Sequence, residues 1–382
     1  MRRSPELSVA DVMTLSESYL EPIVELTTRL SEVPAPTNDE GDRAVALRQE
    51  MEALGYDDIQ IDELHDVTAR IKGEDSSRCL LLAAHIDTVF PRGTNLTVRR
   101  DGDTLHGPGV GDNTVAVAGT IMLRKAFADL GVTPAIDIVV AGNVGEEGLG
   151  DLRGMRAVVD SLPDIAGAIA VEGHLLGRIT HRAVGSRRLK VTVTGPGGHS
   201  WGKAGEPSAI HHLAKIIARL DDIPLQDSPK TSFNAGMFSG GISVNTIAPE
   251  ATAVLDMRST SADALADLVA EVERVINMPA PRGISVAIDV VGDRPAGELS
   301  RTEGLAPVAE RVLRELGYDA HFDASSTDAN VPISRGIPAV CIGLTTGANA
   351  HREDEFIRIS PLVKGFTQLV MTTLRSAEAL AR

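Results

Sequence analysis

The sequence has little cysteine, no long apolar run and a shortage of positive charge. Only Cys79 and Cys341 occur among 382 residues, and both lie in or beside apolar segments typical of strands. We expect them to be reduced core residues of a cytoplasmic protein rather than disulfide partners. The longest apolar runs are far too short for a membrane span. The amino-terminal residues contain no apolar region of the kind found in signal peptides.

Fifty-three acidic residues outnumber 37 basic ones, which gives a formal net charge of −16. Because phosphate groups repel an acidic surface, this balance argues against nucleic acids and anionic membranes as partners. Part of the acidic excess would be neutralised if some carboxylates surround bound cations. The length also exceeds the usual size of a single core, so we expect two domains.

The amino-terminal segment predicts two helices. Apolar residues recur at helical spacing from Tyr19 to Leu30, and Pro34 then ends the first helix. Thr37 and Glu40 match a capping box, which predicts that the second helix begins there.

A strand and the glycine-rich loop that follows it contain the first candidate site residues. Residues 80–84 are all apolar, and His85 and Asp87 follow them on the same side of the strand end. Residues 107–111 are rich in glycine and lead to Asp112, just before an apolar helical stretch. A histidine and carboxylates that meet at one sheet edge are ligands suited to a divalent metal ion.

Strands and helices alternate through the first half of the chain. The predicted strands at 136–141 and 168–171 are followed by the pair Glu146 and Glu147 and by Glu172. This alternation predicts an α/β fold with a mixed, largely parallel sheet flanked by helices. Ligands of such sheets bind beyond the carboxyl ends of the strands, so we expect these acids at one edge.

The pattern changes between residues 187 and 294. The order β-α-β-β-α-β in this segment predicts an inserted ferredoxin-like α+β domain. Residues 295–382 then resume the first pattern, and His351 follows their last strand. We therefore predict a discontinuous main domain at 1–186 and 295–382, interrupted by an inserted domain at 187–294.

Together these motifs resemble those of the co-catalytic zinc hydrolases, the family of peptidase T, glutamate carboxypeptidase, acetylornithine deacetylase and succinyl-diaminopimelate desuccinylase. The family signature consists of His-x-Asp, Gly-x-Gly-x-x-Asp, a Glu-Glu pair, a later acid and a carboxy-terminal histidine. The resemblance extends over nearly the whole chain and implies a zinc exopeptidase-like fold. The matching residues are His85, Asp87, Asp112, Glu146, Glu147, Glu172 and His351.

The resemblance implies a site for two divalent metal ions, Zn or alternatively Co or Mn. Asp112 would bridge the two ions. His85 and Glu172 would complete the ligands of one ion, and Glu147 and His351 those of the other.

Catalytic roles also follow from the resemblance. Asp87 would hydrogen-bond the distal nitrogen of the His85 ring, and Glu146 would act as the general base. His199, in the inserted domain, would stabilise the oxyanion in the active site of a neighbouring subunit. This implies a homodimer in which the inserted domain serves as lid and dimerisation domain.

Two further residues of the inserted domain match family positions that bind a substrate carboxylate. They are Asn245 and Arg258, and the planar guanidinium group suits the second residue to bidentate binding.

Simpler interpretations exist for several of these residues. Asp112 could cap the following helix, and Glu146 and Glu147 could be solvated acids of a first helical turn. His174 lies close enough in sequence to replace Glu172 as a ligand. The glycine spacing also resembles a dinucleotide-binding loop, although position 112 is Asp where such loops need Gly or Ala.

The resulting prediction is a metal-dependent hydrolase that cleaves an amide bond of a small peptide or an N-acyl amino acid. Residues 328–330 and the spacing from His351 to Glu355 favour peptidase T-like members that cleave di- and tripeptides. The alternatives are a glutamate-type carboxypeptidase and an N-acyl amino acid deacylase or desuccinylase. A more distant alternative is a non-catalytic protein that binds a small ligand.

Overall fold

The structure, a computed structural model, describes residues 7–382. The chain divides into a large unit, formed by the residues up to 183 and from 298 onwards, and a second compact unit at 184–297. The sequence analysis placed these boundaries at 187 and 294. Within the described part of the chain, no helix combines the length and hydropathy that crossing a bilayer requires.

The elements are numbered in chain order, and the described residues contain nine α-helices and nineteen strands. The helices are α1 (Val9–Ser31), α2 (Gly41–Ala53), α3 (Val115–Leu130), α4 (Arg153–Ser161), α5 (Ala209–Asp221), α6 (Ala262–Ile276), α7 (Ala306–Glu315), α8 (Asn330–Ser334) and α9 (Leu362–Leu380). The strands are β1 (Gln60–Ile61), β2 (Val67–Ile71), β3 (Asp75–His85), β4 (Arg99–Asp101), β5 (Thr104–His106), β6 (Ile136–Asn143), β7 (Ile165–Glu172), β8 (Arg178–Ala183), β9 (Gly185–Thr194), β10 (Gly198–His199), β11 (Thr231–Gly240), β12 (Thr246–Ile247), β13 (Glu250–Ser259), β14 (Ser285–Arg294), β15 (Gly297–Glu298), β16 (His321–Ser325), β17 (Ala339–Gly343), β18 (Gly347–Ala348) and β19 (Phe356–Arg358).

The main sheet has nine strands in the order β1-β2-β6-β3-β7-β17-β8-β15, with β16 also paired to β8. Its central strands β6, β3, β7 and β17 run parallel to one another. The neighbouring strands β2 and β8 are antiparallel to β6 and β17. The predicted mixed, largely parallel α/β sheet is therefore confirmed.

From Cys79 onwards, strand β3 is buried on both faces. Leu80 and Leu82 point into a core shared with helices α1, α3 and α9. Leu81 and Ala83 point the other way, into a core shared with α4 and α8. A strand covered on both sides needs apolar residues at every position, which explains the uninterrupted apolar run.

The start of α2 differs from the prediction. Its cap residue, Glu40, makes no capping hydrogen bond. The Thr37 hydroxyl instead donates to Asp87 Oδ2 at 2.8 Å. The predicted capping box is therefore wrong here, because a buried carboxylate beyond β3 takes up the hydroxyl. A capping box does form at the start of α1, between Ser8 and Asp11.

The second unit consists of an antiparallel four-stranded sheet in the order β11-β13-β9-β14, with helices α5 and α6. The chain order β9-α5-β11-β13-α6-β14 is the predicted β-α-β-β-α-β pattern of a ferredoxin-like unit. Its core lies between the sheet and the two helices and includes Leu189, Val191, Leu213 and Leu255.

Candidate metal centre

Three parallel strands deliver candidate ligands to one edge of the main sheet. Strand β3 ends at His85, and its neighbour β7 ends at Glu172. On the other side of β3, β6 ends at Asn143, and the loop that follows carries Glu146 and Glu147. The carboxyl ends of parallel strands meet at the same edge, as expected for a ligand site of an α/β sheet.

The Asp112 carboxylate lies between two histidines. Its Oδ1 is 3.2 Å from His85 Nε2, and its Oδ2 is 3.1 Å from His351 Nε2. The same His351 nitrogen lies 3.0 Å from Glu147 Oε1, and His85 Nε2 lies 4.0 Å from Glu172 Oε2. The other four predicted ligands therefore lie together around the Asp112 carboxylate.

These side chains form two groups that share Asp112. In each group, one potential ligand atom from every member lies within 4.8 Å of the others. A third group of the same kind brings Glu146 close to the ligands, where a proton acceptor would be needed. The three groups are His85, Asp112 and Glu172; Asp112, Glu147 and His351; and His85, Glu146 and Glu147.

Asp87 is fully buried and holds the loop that carries the two glutamates. Its Oδ1 accepts the backbone N–H of Glu146, and its Oδ2 accepts that of Glu147, each at 3.0 Å. The Thr37 hydroxyl is a third donor to this carboxylate. The structure thus gives Asp87 a direct role in placing the Glu-Glu pair, which sequence reasoning did not foresee.

The contact between Asp87 and His85 is looser than predicted. His85 Nδ1 lies 3.1 Å from the main-chain oxygen of Asp87 and 3.5 Å from its Oδ1. The carbonyl is the nearer acceptor, because the carboxylate is already engaged by two backbone amides. Either oxygen favours a proton on Nδ1 and leaves Nε2 facing Asp112.

A buried carboxylate, Glu355, holds the glycine-rich loop. Its Oε2 accepts the N–H of Gly109 at 2.8 Å, and its Oε1 accepts those of Gly111 and Asp112 at 2.9 and 2.8 Å. The sequence analysis noted the spacing from His351 to Glu355 but assigned this glutamate no role.

His174 does not take the place of Glu172 as a ligand. Its Nε2 lies 3.0 Å from Glu355 Oε1, so it belongs to the support of the glycine-rich loop. Asn113 ties the same loop to β7, since its amide donates to Val171 O and its Oδ1 accepts the N–H of Gly173.

Arg43, in α2, binds the backbone just beyond the end of β3. Its guanidinium group is buried and donates to the carbonyls of Ile86, Val33 and Ser31. Burial lowers the pKa of Arg43 to about 10. Sequence reasoning missed this residue, because an arginine on a helix is ordinarily a surface residue.

The pKa values of three candidate ligands, Glu147, Glu172 and His351, are raised, which indicates a surplus of negative charge in the site. Burial, followed by the nearby Asp112, raises the pKa of Glu147 to about 7. Burial also raises the pKa of Glu172 to about 8. The hydrogen bond that His351 donates to Asp112 raises the pKa of His351 to about 9.

For Asp112 and His85, the hydrogen bonds between them favour the charged form of each side chain. Burial opposes ionisation of Asp112, but hydrogen bonds from His351 and His85 hold the pKa of this carboxyl far below its usual range. Burial alone would lower the pKa of His85, yet Asp112 and Asp87 raise it well above its ordinary value.

This arrangement fits divalent cations. Ligands at about 2.1 Å from a tetrahedral zinc ion lie roughly 3.4 Å apart, which falls within the 3.0 to 4.0 Å that separates the neighbouring candidate ligand atoms. Imidazole nitrogens and carboxylate oxygens are the donors that zinc and similar ions accept. Cations would also balance the buried carboxylates whose pKa values are raised.

The second unit contains His199 and Asn245 on neighbouring segments. His199 lies on β10, which pairs with β12, and its Nδ1 accepts the backbone N–H groups of Trp201 and Gly202 at 3.2 and 3.3 Å. An imidazole that accepts at Nδ1 carries its proton on Nε2 when neutral. Ser200 donates its N–H to the carbonyl of Asn245, and both predicted side chains are exposed.

Arg258 lies on β13 of the same unit. Its Nε donates to Asp256 Oδ2 at 2.7 Å, and its side chain is 41% exposed. Its two terminal nitrogens have no partner among the described residues, so they are available to an incoming carboxylate.

The fold and the paired ligand groups are those of a metal-dependent hydrolase with two adjacent cation sites. Peptidase family M20/M25/M40 matches residues 81–375 of the sequence. The chain therefore belongs to Peptidase family M20/M25/M40, and the predicted family is confirmed. Members of this family hydrolyse amide bonds in small peptides or acylated amino acids with the help of metal ions.

Individual relatives agree with this assignment. A Mycobacterium tuberculosis protein provisionally named succinyl-diaminopimelate desuccinylase DapE is 29% identical over 349 residues, covering 88% of this chain and 93% of the relative. A tripeptidase from Staphylococcus aureus has a similar fold, with a TM-score of 0.80 at 21% identity, over 94% of this chain and 99% of that one. The Bacillus subtilis YXEP protein, described as a dinuclear metal-binding peptidase of family M20, has a TM-score of 0.69 at 18% identity, over 95% and 99% of the two chains.

Proposed function

We propose that this protein is a dizinc exopeptidase that cleaves di- and tripeptides, with Glu146 as its general base. The observation that carries the proposal is the position of Asp112, whose two oxygens each face a different histidine. A carboxylate in this position can bridge two cations. His85 and Glu172 would complete one set of ligands, and Glu147 and His351 the other.

Two divalent cations bound here would supply polarisation of the scissile carbonyl and a lowered pKa for water. A side chain of the protein carries out the proton transfers. The Glu146 carboxylate takes a proton from the attacking water and passes it to the leaving nitrogen. The hydrogen bond from its own backbone N–H to Asp87 supports this role, because it fixes the peptide from which the carboxylate extends.

The second unit would bind and orient the substrate. Because its Nδ1 accepts backbone N–H groups, the His199 ring can use an Nε2 N–H to donate a hydrogen bond to the carbonyl oxygen on which negative charge develops. Arg258 has its terminal nitrogens available for a substrate carboxylate, and Asn245 adds a neighbouring amide. In the proposed homodimer, His199 would act in the site of the other subunit, and this unit would close over the substrate as a lid.

The cellular location belongs to the same proposal. Cys79 and Cys341 are both unpaired and buried in the structure. Two reduced thiols support the cytoplasm as the place where the protein works.

The similarity to desuccinylases favours a second candidate. A relative that carries the DapE name covers most of both chains at 29% identity. An N-acyl amino acid deacylase or desuccinylase would use the same metal centre and differ in the group that the second unit binds. A glutamate-type carboxypeptidase is a further variant of the same chemistry.

A substrate panel separates these candidates. The protein, loaded with zinc or cobalt, is assayed with tripeptides, carboxy-terminal glutamate conjugates, and N-acetyl and N-succinyl amino acids. The proposal expects the highest kcat/KM for di- and tripeptides. A preference for N-succinyl substrates would replace it with the desuccinylase candidate.

A single substitution tests the general base. Glu146→Gln removes the proton acceptor, so kcat should fall by about 10²- to 10⁴-fold. Bound metal, measured by atomic absorption, should stay at two ions per chain because Glu146 is not a proposed ligand. Full activity in this variant would refute the assignment of Glu146, and a wild-type protein that binds no metal would refute the whole proposal.

A further inference from the structure

The buried contacts of Glu355 connect two parts of the metal centre that are far apart in sequence. Glu355 lies immediately before β19 and four residues after His351, so both belong to the segment between β18 and β19. The partners of its carboxylate are in the loop that ends at Asp112. The glutamate therefore joins the segment that carries one proposed ligand to the loop that carries the bridging one.

The Glu355 carboxylate meets only donors. Oε2 accepts one backbone N–H, and Oε1 accepts two more and faces His174 Nε2 at 3.0 Å. A carboxylate can accept at all of these positions, whereas a neutral amide would turn an N–H₂ group towards a donor. Because the residue is 0% exposed, water cannot replace a lost contact without entering the interior.

Main-chain pairing strengthens the same connection. Strand β19 pairs with β5, where Phe356 faces His106. The N–H of Gly107 also donates to the main-chain oxygen of Glu355 at 3.0 Å. Backbone and side chain of the glutamate thus hold the two ends of the glycine-rich loop.

Two glycines of the loop stand where a side chain would clash. A Cβ added to Gly111 would lie 2.2 Å from His174 Nε2 and 2.8 Å from Glu355 Oε1. Gly109 has a φ of +72°, which favours glycine, and its Cβ would lie 2.8 Å from the Thr88 methyl group. The glycines allow the backbone amides to approach the carboxylate, and Glu355 in turn fixes the loop conformation.

We propose that Glu355 is a positioning residue that presets the place of the bridging carboxylate relative to His351, and so fixes the spacing of the two cations before either one binds. The Asp112 N–H is one of its donors, so the Glu355 carboxylate holds the backbone from which the Asp112 side chain extends. This inference rests on the proposed function, since it takes Asp112 as the shared ligand.

Zinc affinity is the readout that separates positioning from general support of the fold. In Glu355→Gln, the dissociation constants for Zn²⁺, measured by competition with a chromogenic chelator, should rise by about 10- to 100-fold. The melting temperature of the metal-free protein is measured in parallel. The Co²⁺-loaded variant should show an altered d–d absorption spectrum, because the geometry of the shared ligand changes.

Asp137 provides a matched control. It is also buried, and its carboxylate accepts the N–H of Gly73 and the hydroxyl of Ser76, near the amino end of β6. Asp137→Asn should lower the melting temperature without changing zinc affinity. If Glu355→Gln and Asp137→Asn change zinc affinity equally, or if Glu355→Gln leaves it unchanged, the positioning role is refuted.

Hydrogen exchange of the wild-type protein tests the proposal without any variant. The amides of Gly109, Gly111 and Asp112 should exchange slowly in the metal-free protein, and zinc should slow them little further, because the loop is already set. Fast exchange that becomes slow only with zinc would overturn the proposal. Wild-type protein that binds no zinc would instead refute the proposed function, so the two failures are distinguishable.

Discussion

The candidate metal edge of the large unit and the candidate substrate residues of the second unit differ in burial and in hydrogen bonding. At the metal edge, Asp87 and Glu355 are fully buried, and every oxygen of their carboxylates accepts a backbone amide. In the second unit, His199 and Asn245 are exposed, and Arg258 keeps two terminal nitrogens without a partner among the described residues. The supporting groups of the first region are buried and bonded, whereas the polar groups of the second region are exposed, so that an incoming ligand can contact them.

The difference indicates how the two regions divide the work. A cation site needs ligands at fixed separations, so its supporting groups are buried and bonded. Groups that respond to charge in the transition state must be reachable, so they lie on the surface of a separate unit. Substitutions should therefore affect metal affinity in the first region and kinetic constants in the second.

Among substitutions in the second unit, the largest kinetic effect is expected for His199→Ala. Loss of one donor to the developing oxyanion should lower kcat by about 10²- to 10³-fold. Zinc affinity and melting temperature should stay at wild-type values, because the ring contacts only backbone amides of its own loop. A reduced zinc content in this variant would contradict the separation of the two regions.

Asp87→Asn should lower the zinc affinity of the candidate metal edge in the large unit. An amide cannot accept from Glu146, Glu147 and Thr37 together, so the glutamate loop should lose one of its anchors. We expect zinc affinity to fall by about 10- to 100-fold, measured by chelator competition. Activity should recover partly at high zinc concentration. If kcat falls while zinc affinity does not change, Asp87 serves catalysis in another way.

Zinc affinity should depend on pH, because several candidate ligands are protonated near neutral pH. Cations compete with the protons held by Glu147, Glu172 and His351, whose pKa values are raised to about 7, 8 and 9. As pH rises through this range, fewer protons must be displaced, so zinc affinity should increase from pH 6 to pH 8 by about tenfold or more per unit. Calorimetry in buffers of different ionisation enthalpy should detect proton release. An affinity independent of pH would show that the ligands are already ionised.

The smallest effect is expected for Arg258→Ala. An exposed ion pair contributes up to about 1 kcal/mol, so KM for a peptide with a free carboxylate should rise by about fivefold. The same peptide with an amidated carboxy terminus provides the matched control, and its KM should not respond to the substitution. An equal loss for both peptides would remove Arg258 from carboxylate recognition.

Two of the candidate ligands, His85 and Glu172, could be predicted because each follows an uninterrupted apolar run. His85 and Glu172 end strands that are buried on both faces, and such strands are visible in the sequence without knowledge of their partners. Parallel strands then require that their ends meet, so the convergence at Asp112 could be expected before its geometry was known.

The support of these ligands could not be predicted in the same way. Glu355 and Arg43 bind backbone groups, and a backbone N–H or carbonyl leaves no mark in the sequence. His174 contacts the loop through the Glu355 carboxylate. Thr37 shows the converse: its spacing to Glu40 matches a capping box, but the buried Asp87 carboxylate competes for the hydroxyl. Local patterns fail where a distant buried charge offers a stronger partner.

The distance in sequence between Glu355 and the amides it accepts has a consequence for biosynthesis. The glutamate lies 243 residues after Asp112, and the second unit is encoded between them. During translation, His85, Asp112 and Glu172 emerge from the ribosome well before Glu355, whose carboxylate holds the loop that ends at Asp112. A nascent chain thus contains the proposed ligands of one cation before Glu355 has been made, so we expect the loop to become fixed only after the last segment has been translated.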